Sequence, residues 1–327
     1  TIVDPSAYFQ TRLYEGNEST KSVDQDGNSD FEPDLVIIKN RDEDDSWVWT
    51  DSVREETNIL YSDTTDDEDD DDDTLTAFES DGFALGADVK VNTNTENYCS
   101  WMWLESATAG FDIVADEGTG SAHTISHSLS STPEFIIRKK RTSGSDDGWI
   151  IWHTDVGGAN YYLNFDSGAS DTSVNYWNNT LPTSSVFSVG ASNGTNQSGK
   201  TFITYLFHSV DGFSKFGKYT GNGSEDGAFI NLGFKPSAFI IKCTAAGTSW
   251  FIWDSARNTY NVMTGVLNMD TDDAETVRAP SHANEMCVDF VSNGVKMRND
   301  HNDINGSSRT YVYAAWAESP FKTSTAR

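Results

Sequence analysis

A tryptophan-containing motif occurs three times in this chain of 327 residues. Its copies read WVWTDSVR at 47–54, WIIWHTDV at 149–156 and WFIWDSAR at 250–257. The first tryptophan of each copy falls at 47, 149 and 250, at steps of 102 and 101 residues. Solenoid repeats are shorter, about 20–50 residues per unit. The motif therefore predicts three domain-sized units in tandem.

Four further landmarks follow the same period and the same order. Prolines at 33, 133 and 236 open the runs FEPDLVIIK, STPEFIIRK and FKPSAFIIK, and leucines at 60, 163 and 267 lie in ILYSDT, YLNFDS and VLNMDT. The segments SDGFALG, SSVFSVG and SNGVKMR come next, and the aromatic runs NYCSWMWLE, KTFITYLFH and RTYVYAAWAE close the copies. We therefore divide the chain into an N-terminal arm (1–7), unit 1 (8–107), unit 2 (108–210), unit 3 (211–321) and a C-terminal tail (322–327). At this length we expect each unit to fold nearly alone.

Within each unit the pattern indicates β structure. The runs DLVIIK, EFIIRK and SAFIIK are short, apolar and rich in β-branched residues, and a proline suits the first position of a strand. Turn-forming clusters such as TGNGSEDG, SNGTNQSG and DINGSS separate the runs. We expect an all-β chain of three tandem β-sandwich, jelly-roll-like domains of about 100 residues each.

The charge of the chain is strongly acidic and unevenly distributed. The formal net charge is −29, and unit 1 together with the arm holds 29 acidic against 6 basic residues. Nucleic-acid binding requires Lys and Arg to neutralise phosphates, so a nucleic-acid partner is not expected. No run of apolar residues reaches the length of a membrane span, and the N-terminal stretch has no secretory pattern. We expect neither membrane insertion nor secretion.

The three cysteines, Cys99, Cys243 and Cys287, are scattered and show no metal-binding spacing. We expect them to be buried free thiols. The chain also has no GxSxG, HExxH or P-loop motif. Paired carboxylates chosen by eye mean little among 51 acidic residues, so the sequence names no catalytic residue. We expect a protein that is not an enzyme.

The tryptophans fall into two groups. Trp47 and Trp49 lie two apart in a strand and so share a face, and the equivalent positions are large and apolar in every copy. Such positions are predicted to lie in the core. Three tryptophans are less regular between the copies and are our candidates for exposed platforms that stack on sugar rings: Trp103, Trp152 and Trp177.

The acid run DDEDDDDD at 66–73 is the most unusual segment. The equivalent segments TDDAET and SGASDT show that the run enlarges a loop present in all units, and a solvated loop is the simplest interpretation. Two alternatives are docking against a basic neighbour and a Ca²⁺ site, although the spacing of a Ca²⁺-binding loop is missing. We expect no cofactor, with Ca²⁺ as the alternative at Asp66, Asp67, Glu68, Asp69 and Asp70.

The motifs together resemble a family of repeat-containing structural proteins of tailed, mostly marine, bacteriophages. The resemblance covers residues 8–321 and is greatest in unit 3, through YTGNGSEDGAFINLGFKPSAFIIK, WFIWDSARNTYN and VDFVSNGVKMRNDHNDINGSSRTYVYAAWAESPF. FEPDLVIIKNR and SDGFALG carry it in unit 1. Unit 2 departs from it, because WHTDV replaces the DSxR of the other copies. For the pairs Asp51/Arg54 and Asp254/Arg257 we expect a structural turn or an ion pair.

The resemblance implies a non-enzymatic protein on the exterior of the virion, made in the cytoplasm of the bacterial host. A tail- or fibre-associated role in host adsorption is our first hypothesis, and a capsid decoration protein is the second. A carbohydrate-binding or carbohydrate-cleaving β-sandwich is the third. Partners would be other virion proteins, further copies of the chain and a host-surface glycan, with trimers or rings as the expected assemblies. In the first two hypotheses the arm, through Ile2, Val3 and Pro5, would insert into a neighbour as an assembly peg.

Overall fold

The computed structural model describes residues 2–144, 148–166, 168–245, 247–277 and 286–317, so the predicted C-terminal tail lies outside the described residues. The arm contains a short 3-10 helix, Pro5–Ala7. Unit 1 then forms the strands β1 (Phe9–Glu15), β2 (Lys21–Asp24), β3 (Leu35–Asn40), β4 (Val48–Asp51), β5 (Asn58–Tyr61), β6 (Asp69–Asp70), β7 (Leu75–Glu79) and β8 (Gly82–Leu85), the helical turn α1 (Val89–Asn92), and β9 (Asn97–Trp103).

A similar succession of elements returns twice, with one strand fewer in the described part of unit 2. Unit 2 forms β10 (Phe111–Glu117), β11 (His123–Ser126), β12 (Phe135–Lys140), β13 (Ile150–His153), β14 (Tyr161–Tyr162), β15 (Asp171–Thr172), β16 (Val186–Val189), α2 (Asn193–Asn196) and β17 (Thr201–Phe207). Unit 3 forms β18 (Ser214–Thr220), β19 (Phe229–Asn231), β20 (Pro236–Cys243), β21 (Trp250–Asp254), β22 (Gly265–Asn268), β23 (Thr276–Val277), β24 (Val288–Val291), β25 (Gly294–Met297), α3 (Asn302–Asn305) and β26 (Thr310–Ala317). The all-β prediction is confirmed.

The strands pair antiparallel in a large and a small sheet per unit, and unit 2 has a further two-stranded sheet, β14-β15. The large sheet of unit 1 has the order β1-β9-β3-β4-β5-β6, and unit 3 repeats this order as β18-β26-β20-β21-β22-β23. Unit 2 has a shorter version, β10-β17-β12-β13. The small sheets are β2-β8-β7, β11-β16 and β19-β25-β24. The prolines predicted to open strands stand at or just before β3, β12 and β20.

Each face of the large sheet of unit 1 is buried in a different core. Val36 and Ile38 of β3 belong to one apolar cluster with Phe83 of the small sheet, which gives the unit a sandwich-like core of its own. The alternate residues Leu35 and Ile37 belong to a second cluster that also contains residues of units 2 and 3. Alternate side chains of a strand point to opposite faces, so β3 reads as an unbroken apolar run because both faces are covered.

The second core joins the three units around a common centre. Trp103, Phe207 and Trp316 hold equivalent positions near the ends of β9, β17 and β26, where they pair with Phe9, Phe111 and Ser214. Their ring centroids are 6.5 Å apart for Trp103 and Phe207, 5.3 Å for Trp103 and Trp316, and 5.7 Å for Phe207 and Trp316. Three equivalent residues that all touch one another lie around one axis, so the units have an approximate threefold arrangement.

This arrangement corrects the expectation that each unit folds nearly alone. The length of the repeat indicates how much chain each unit has, but it carries no information on how the units pack against one another. The large sheets bury their inner faces against each other, and those faces carry a substantial part of the apolar surface of the chain. We call the three units together the three-unit body.

Candidate functional site

The repeated tryptophan of each unit reaches into another unit. The indole nitrogen Nε1 of Trp149 donates to the carbonyl oxygen of Tyr61 in unit 1 at 2.8 Å. Trp250 Nε1 donates to Asn164 O in unit 2 at 2.7 Å, and Trp47 Nε1 donates to Asn268 O in unit 3 at 2.8 Å. Unit 2 therefore contacts unit 1, unit 3 contacts unit 2, and unit 1 contacts unit 3, so the tryptophans close a ring. The prediction that these positions are core is confirmed, since all three side chains are buried.

An aspartate fixes the backbone beside two of these tryptophans. The Oδ1 atom of Asp63 accepts the backbone N–H of Trp47 at 2.9 Å, and Asp270 Oδ1 accepts that of Trp250 at 2.9 Å. Each bond joins the start of the tryptophan strand to the loop that follows the next strand of the same unit. The bond fixes the backbone of the residue whose indole reaches the neighbouring unit.

A buried ion pair of unit 1 contacts unit 2. Arg54 Nε lies 2.5 Å from Asp51 Oδ2, and both side chains are fully buried. Tyr205 of unit 2 donates its hydroxyl to the same Oδ2 atom at 2.7 Å. Burial by itself lowers the pKa of Arg54, but Asp51, Tyr205 and Glu68 together outweigh it and raise the pKa above the ordinary value. The ion pair predicted for Asp51 and Arg54 is present, in the interior where its removal is costly.

Unit 3 repeats this pair against unit 1. Arg257 Nε lies 2.5 Å from Asp254 Oδ2, and Arg257 also pairs with Glu275 at 2.8 Å. Arg41 of unit 1 reaches Glu275 with Nη2 at 2.6 Å. Again burial lowers the pKa of Arg257, and the Asp254 and Glu275 carboxylates more than reverse this shift. These charged side chains therefore pair with one another at the contact between unit 1 and unit 3.

Unit 2 has uncharged side chains at the two equivalent sequence positions. His153 and Val156 stand where the other units have Asp and Arg, and His153 Nε2 lies 3.2 Å from the carbonyl oxygen of Tyr313 in unit 3. Burial lowers the pKa of His153 to about 4, so the imidazole is neutral at pH 7 and donates its N–H to that carbonyl. Unit 2 therefore lacks the DSxR pattern but still contacts another unit at this position, through a neutral histidine instead of an ion pair.

Equivalent lysines and asparagines provide further contacts that the sequence reasoning missed. Lys139 Nζ donates to Thr65 O of unit 1 at 3.1 Å, and Lys242 Nζ donates to Asp166 O of unit 2 at 2.6 Å. Burial is also the main reason that the pKa of Lys39 falls to about 8. The side-chain amides of three equivalent residues in the helical turns fix the neighbouring loops: Asn92, Asn196 and Asn305. Their spacing of 104 and 109 residues was a signal that the repeat contained.

A polar cavity of about 610 Å³ lies where the large sheets meet, and it is the principal candidate for a binding site. Three equivalent aspartates line it, one from each unit: Asp63, Asp166 and Asp270. The residues just before them, Ser62, Phe165 and Met269, belong to the inter-unit contacts, and Ser62 Oγ donates to Met269 O at 2.6 Å. The cavity is therefore at one end of the approximate threefold axis, beyond the aromatic core.

The three tryptophans proposed as sugar platforms are buried. Trp103, Trp152 and Trp177 are each only 3% exposed. Trp103 packs against Trp316 at the threefold centre, and Trp152 Nε1 donates to Gly158 O at 3.0 Å. Rings enclosed in this way have no free face for a sugar, which argues against the platform hypothesis. Irregularity between the copies was a poor guide to exposure, because the units differ in how they fill their cores.

The acid run does not gather around a common point. Glu68 pairs with Arg54 at 3.2 Å and with Arg141 of unit 2 at 2.7 Å, so it serves the contact between these units. Asp70 accepts the Thr57 hydroxyl at 2.7 Å, and Asp66, Asp67 and Asp69 are exposed. Among the described residues, the carboxylates close enough to share a metal ion are those of Asp24, Glu79 and Asp81. The run therefore has no geometry that favours the Ca²⁺ alternative.

The arm is packed into its own chain. Ile2 is 7% exposed and belongs to the inter-unit core, and Pro5 is buried, whereas Val3 is 81% exposed. Asp4 caps the short helix and accepts the hydroxyl of Ser29 at 2.8 Å. Insertion into a neighbour would require Ile2 and Pro5 to leave these contacts, so the packing of the arm does not favour an assembly peg, and that role stays a prediction. The three cysteines are buried thiols that form no disulfide, as predicted.

Comparison with known families agrees with this picture of one three-unit body. The sequence model of a family described as a domain of unknown function, DUF7483, matches residues 4–320. The chain belongs to this family. The match runs through all three units, so the DUF7483 domain is the three-unit body as a whole and not one of its repeats. Comparison with curated proteins finds no match. No helix in the described part of this DUF7483 chain has the length and apolar character needed to cross a membrane.

Proposed function

We propose that this chain is a non-enzymatic surface protein of a tailed-bacteriophage virion, associated with the tail or its fibres and contributing to host adsorption. It is made in the cytoplasm of the host bacterium and mounted on the exterior of the particle. Its partners are other virion proteins, further copies of itself and a glycan of the host surface. The resemblance of its repeated motifs to structural proteins of tailed phages supports this proposal.

The observation that carries the proposal is the use of the repeated motif. In WFIWDSAR the residues Trp250, Asp254 and Arg257 all contact another unit or support such a contact. WVWTDSVR uses Trp47, Asp51 and Arg54 in the same way. Groups of this kind, when they serve catalysis, face a substrate. Here they fasten one unit to the next, which suits a protein whose task is to be a rigid part of an assembly.

The charge distribution supports a place on the surface of a particle. Of the net charge of −29, unit 1 with the arm contributes −23. A strong excess of one sign keeps crowded copies from adhering to each other and orients docking onto a basic neighbour. We place the acidic unit 1 at such a contact or at the outer surface.

A capsid decoration protein is the second candidate, and the approximate threefold arrangement favours it. Three equivalent units around one axis present similar surfaces three times, so the body can match a threefold position of a closed shell. A tail fibre built from three chains offers threefold positions as well. The location on the particle separates the two candidates.

The test is to locate the chain in purified virions of the phage that encodes it. Gold-labelled antibodies against the three-unit body, viewed by electron microscopy, should mark the tail or its appendages. Label on the head faces would replace the tail role by the decoration role. Particles that carry no label, together with absence of the chain from their protein content by mass spectrometry, would refute both.

A further inference from the structure

The three contacts between units have one backbone hydrogen bond in common. We call each contact a seam and name it by the units that it joins. In every seam a backbone N–H donates to a backbone carbonyl oxygen of the other unit: Glu68 to Arg141 at 2.8 Å in seam 1–2, Glu275 to Arg41 at 2.8 Å in seam 3–1 and Ser170 to Thr244 at 3.0 Å in seam 2–3. The backbones of the three seams are therefore arranged alike, and the seams differ mainly in their side chains.

At these positions two seams are charged and the third is neutral. In seam 1–2 the carboxylate of Glu68 lies 3.2 Å and 2.7 Å from two arginines, and in seam 3–1 that of Glu275 lies 2.8 Å and 2.6 Å from two. The equivalent residues of seam 2–3 are uncharged: Val156, Ser170 and Thr244. In seam 2–3 a histidine also replaces the buried aspartate of the other two seams.

This histidine, His153, has both ring nitrogens engaged. Its Nε2 atom donates to the carbonyl oxygen of Tyr313 in unit 3 at 3.2 Å, and its Nδ1 atom accepts the backbone N–H of Asp155 at 3.1 Å. A carbonyl oxygen only accepts and an N–H only donates, so the arrangement fits one tautomer of the neutral imidazole. A second ring proton, on Nδ1, would point at the N–H of Asp155, and the hydrogen bond between them would be lost.

The groups around this imidazole offer little compensation for a second proton. Asp155 is the carboxylate whose charge acts on the ring, and it pairs at 3.1 Å with Lys218 of β18, whose charge acts in the opposite direction. Phe135 of β12 packs its apolar ring 5.7 Å from the imidazole, between centroids. On β26, burial raises the pKa of the Tyr313 phenol to about 12, with smaller effects of Asp155 and Glu134, so the phenol stays neutral. The carboxylate that would favour an imidazolium is therefore already paired with an ammonium group.

Acid should act differently on the three seams. The buried side chains of Arg54 and Arg257 already carry their charge at pH 7, and each lies 2.5 Å from a carboxylate oxygen. Protonation of His153, which is 1% exposed, would instead place a new charge in a buried contact, and an uncompensated buried charge is costly. Burial accordingly lowers the pKa of His153 to about 4, so the ring binds a proton more readily once it is released to water.

We propose that seam 2–3 is an acid-sensitive contact of the three-unit body. As the pH falls, His153 takes up a proton, leaves Tyr313 and opens this seam, while seams 1–2 and 3–1 stay closed. The seam therefore works as a local switch, and the units themselves stay folded. The inference goes beyond the proposed virion role and does not depend on it.

Three equivalent amides report on the three seams, because the N–H groups of Glu68, Glu275 and Ser170 each cross one of them. The test is hydrogen exchange of these amides in the full chain, followed by NMR at pH 7 and pH 5 and corrected for the intrinsic exchange rate at each pH. We expect the protection of the Ser170 amide to fall about twentyfold, the factor given by a pKa of about 4 in the closed seam and 6.5 in the open one. The protection of the Glu68 and Glu275 amides should change by less than about twofold.

Two variants identify the group that titrates. H153N carries a side-chain N–H donor but takes up no proton in this range, so its Ser170 amide should lose less than about twofold of its protection between pH 7 and pH 5. H123Q changes a histidine on β11 and should keep the full wild-type response. If H153N does not fold, the comparison of the three wild-type amides still decides.

Two kinds of result would overturn the proposal. Equal losses of protection at the three amides would assign the proton uptake to unfolding of the whole body and not to one seam. A Ser170 amide that keeps its protection at pH 5, or that loses it equally in H153N, would show that His153 does not open the seam. A loss confined to Ser170 and abolished in H153N supports the proposal.

Discussion

The indole nitrogen of Trp149 lies 2.8 Å from the carbonyl oxygen of Tyr61, although the two residues belong to different repeat units. Equivalent bonds start from Trp47 and Trp250, and together they link every unit to another. The recurrence of the tryptophan motif thus has a structural cause. The first tryptophan of each copy forms the same kind of hydrogen bond to a backbone carbonyl of another unit.

Replacing Trp149 by Phe should remove this contact and leave the Tyr61 carbonyl buried without its donor. The lost hydrogen bond and the lost ring volume together should lower the free energy of unfolding by about 3 kcal/mol. Trp177→Phe is the control, because Trp177 is equally buried but its Nε1 has no partner among the described residues. Urea unfolding should show a loss of about 1.5 kcal/mol for the control. Equal losses would mean that the inter-unit bond contributes nothing.

Replacing Arg257 by Met should leave the Asp254 carboxylate buried without its cation. Breaking a buried pair on one side costs about 3–5 kcal/mol. The double variant D254N/R257M removes the charge but keeps an oxygen for the backbone N–H of residue 257. We expect urea unfolding to show the double variant as more stable than R257M. A double variant that is less stable than R257M would contradict the account of this pair.

The stability of the chain should depend on pH through His153. The folded-state pKa of about 4 lies below the ordinary value of 6.5, so the unfolded chain binds more protons at mildly acidic pH. The contribution of His153 is complete above pH 6.5 and is lost as the pH falls towards 4, at about 1 kcal/mol per pH unit.

Urea unfolding at pH 7 and pH 5 checks this dependence. H153N should lose less stability between the two pH values than the wild-type chain does. H123Q, which changes a histidine on β11, should keep the full wild-type loss. If H153N and the wild-type chain lose the same amount, His153 is not the group that titrates.

Glu105 should produce the opposite trend. Burial raises its pKa to about 8, helped by a hydrogen bond to Asp112 and by the charges of Asp112 and Asp34. The folded state therefore favours the protonated acid, and this stability is lost as the pH rises from about 4.5 through about 8. In E105Q the decline should disappear, and in E117Q, at an exposed position, it should persist. Urea unfolding between pH 5 and pH 9 measures the difference.

The strands, turns and ion pairs within each unit could be predicted from the sequence. The packing of the units against one another could not. Prolines before the strands, turn clusters and the paired Asp51 and Arg54 all have local signals, and they are found as expected. The threefold centre has no such signal, because the contact of Trp103 with Trp316 joins residues that are far apart in the chain. The repeat period of the sequence motifs indicates that the three units have similar folds. How the units pack depends on which of their surfaces meet, and the motifs do not show this.

The candidate site was missed for a related reason. Asp63, Asp166 and Asp270 stand in the repeated ILYSDT, YLNFDS and VLNMDT segments, so their equivalence was visible in the sequence. Their convergence was not, because it follows from the threefold arrangement. The acid run drew attention by its composition, whereas in the structure its Glu68 mainly joins Arg54 and Arg141.

We expect the three units to unfold as one body, because their large sheets share one apolar core. Hydrogen exchange across a urea series, followed by mass spectrometry of peptides from β9, β17 and β26, tests this expectation. Because these strands meet at Trp103, Phe207 and Trp316, their amides should lose protection together, at one urea concentration. Loss of protection in one unit at a clearly lower concentration, with the other two still protected, would contradict it.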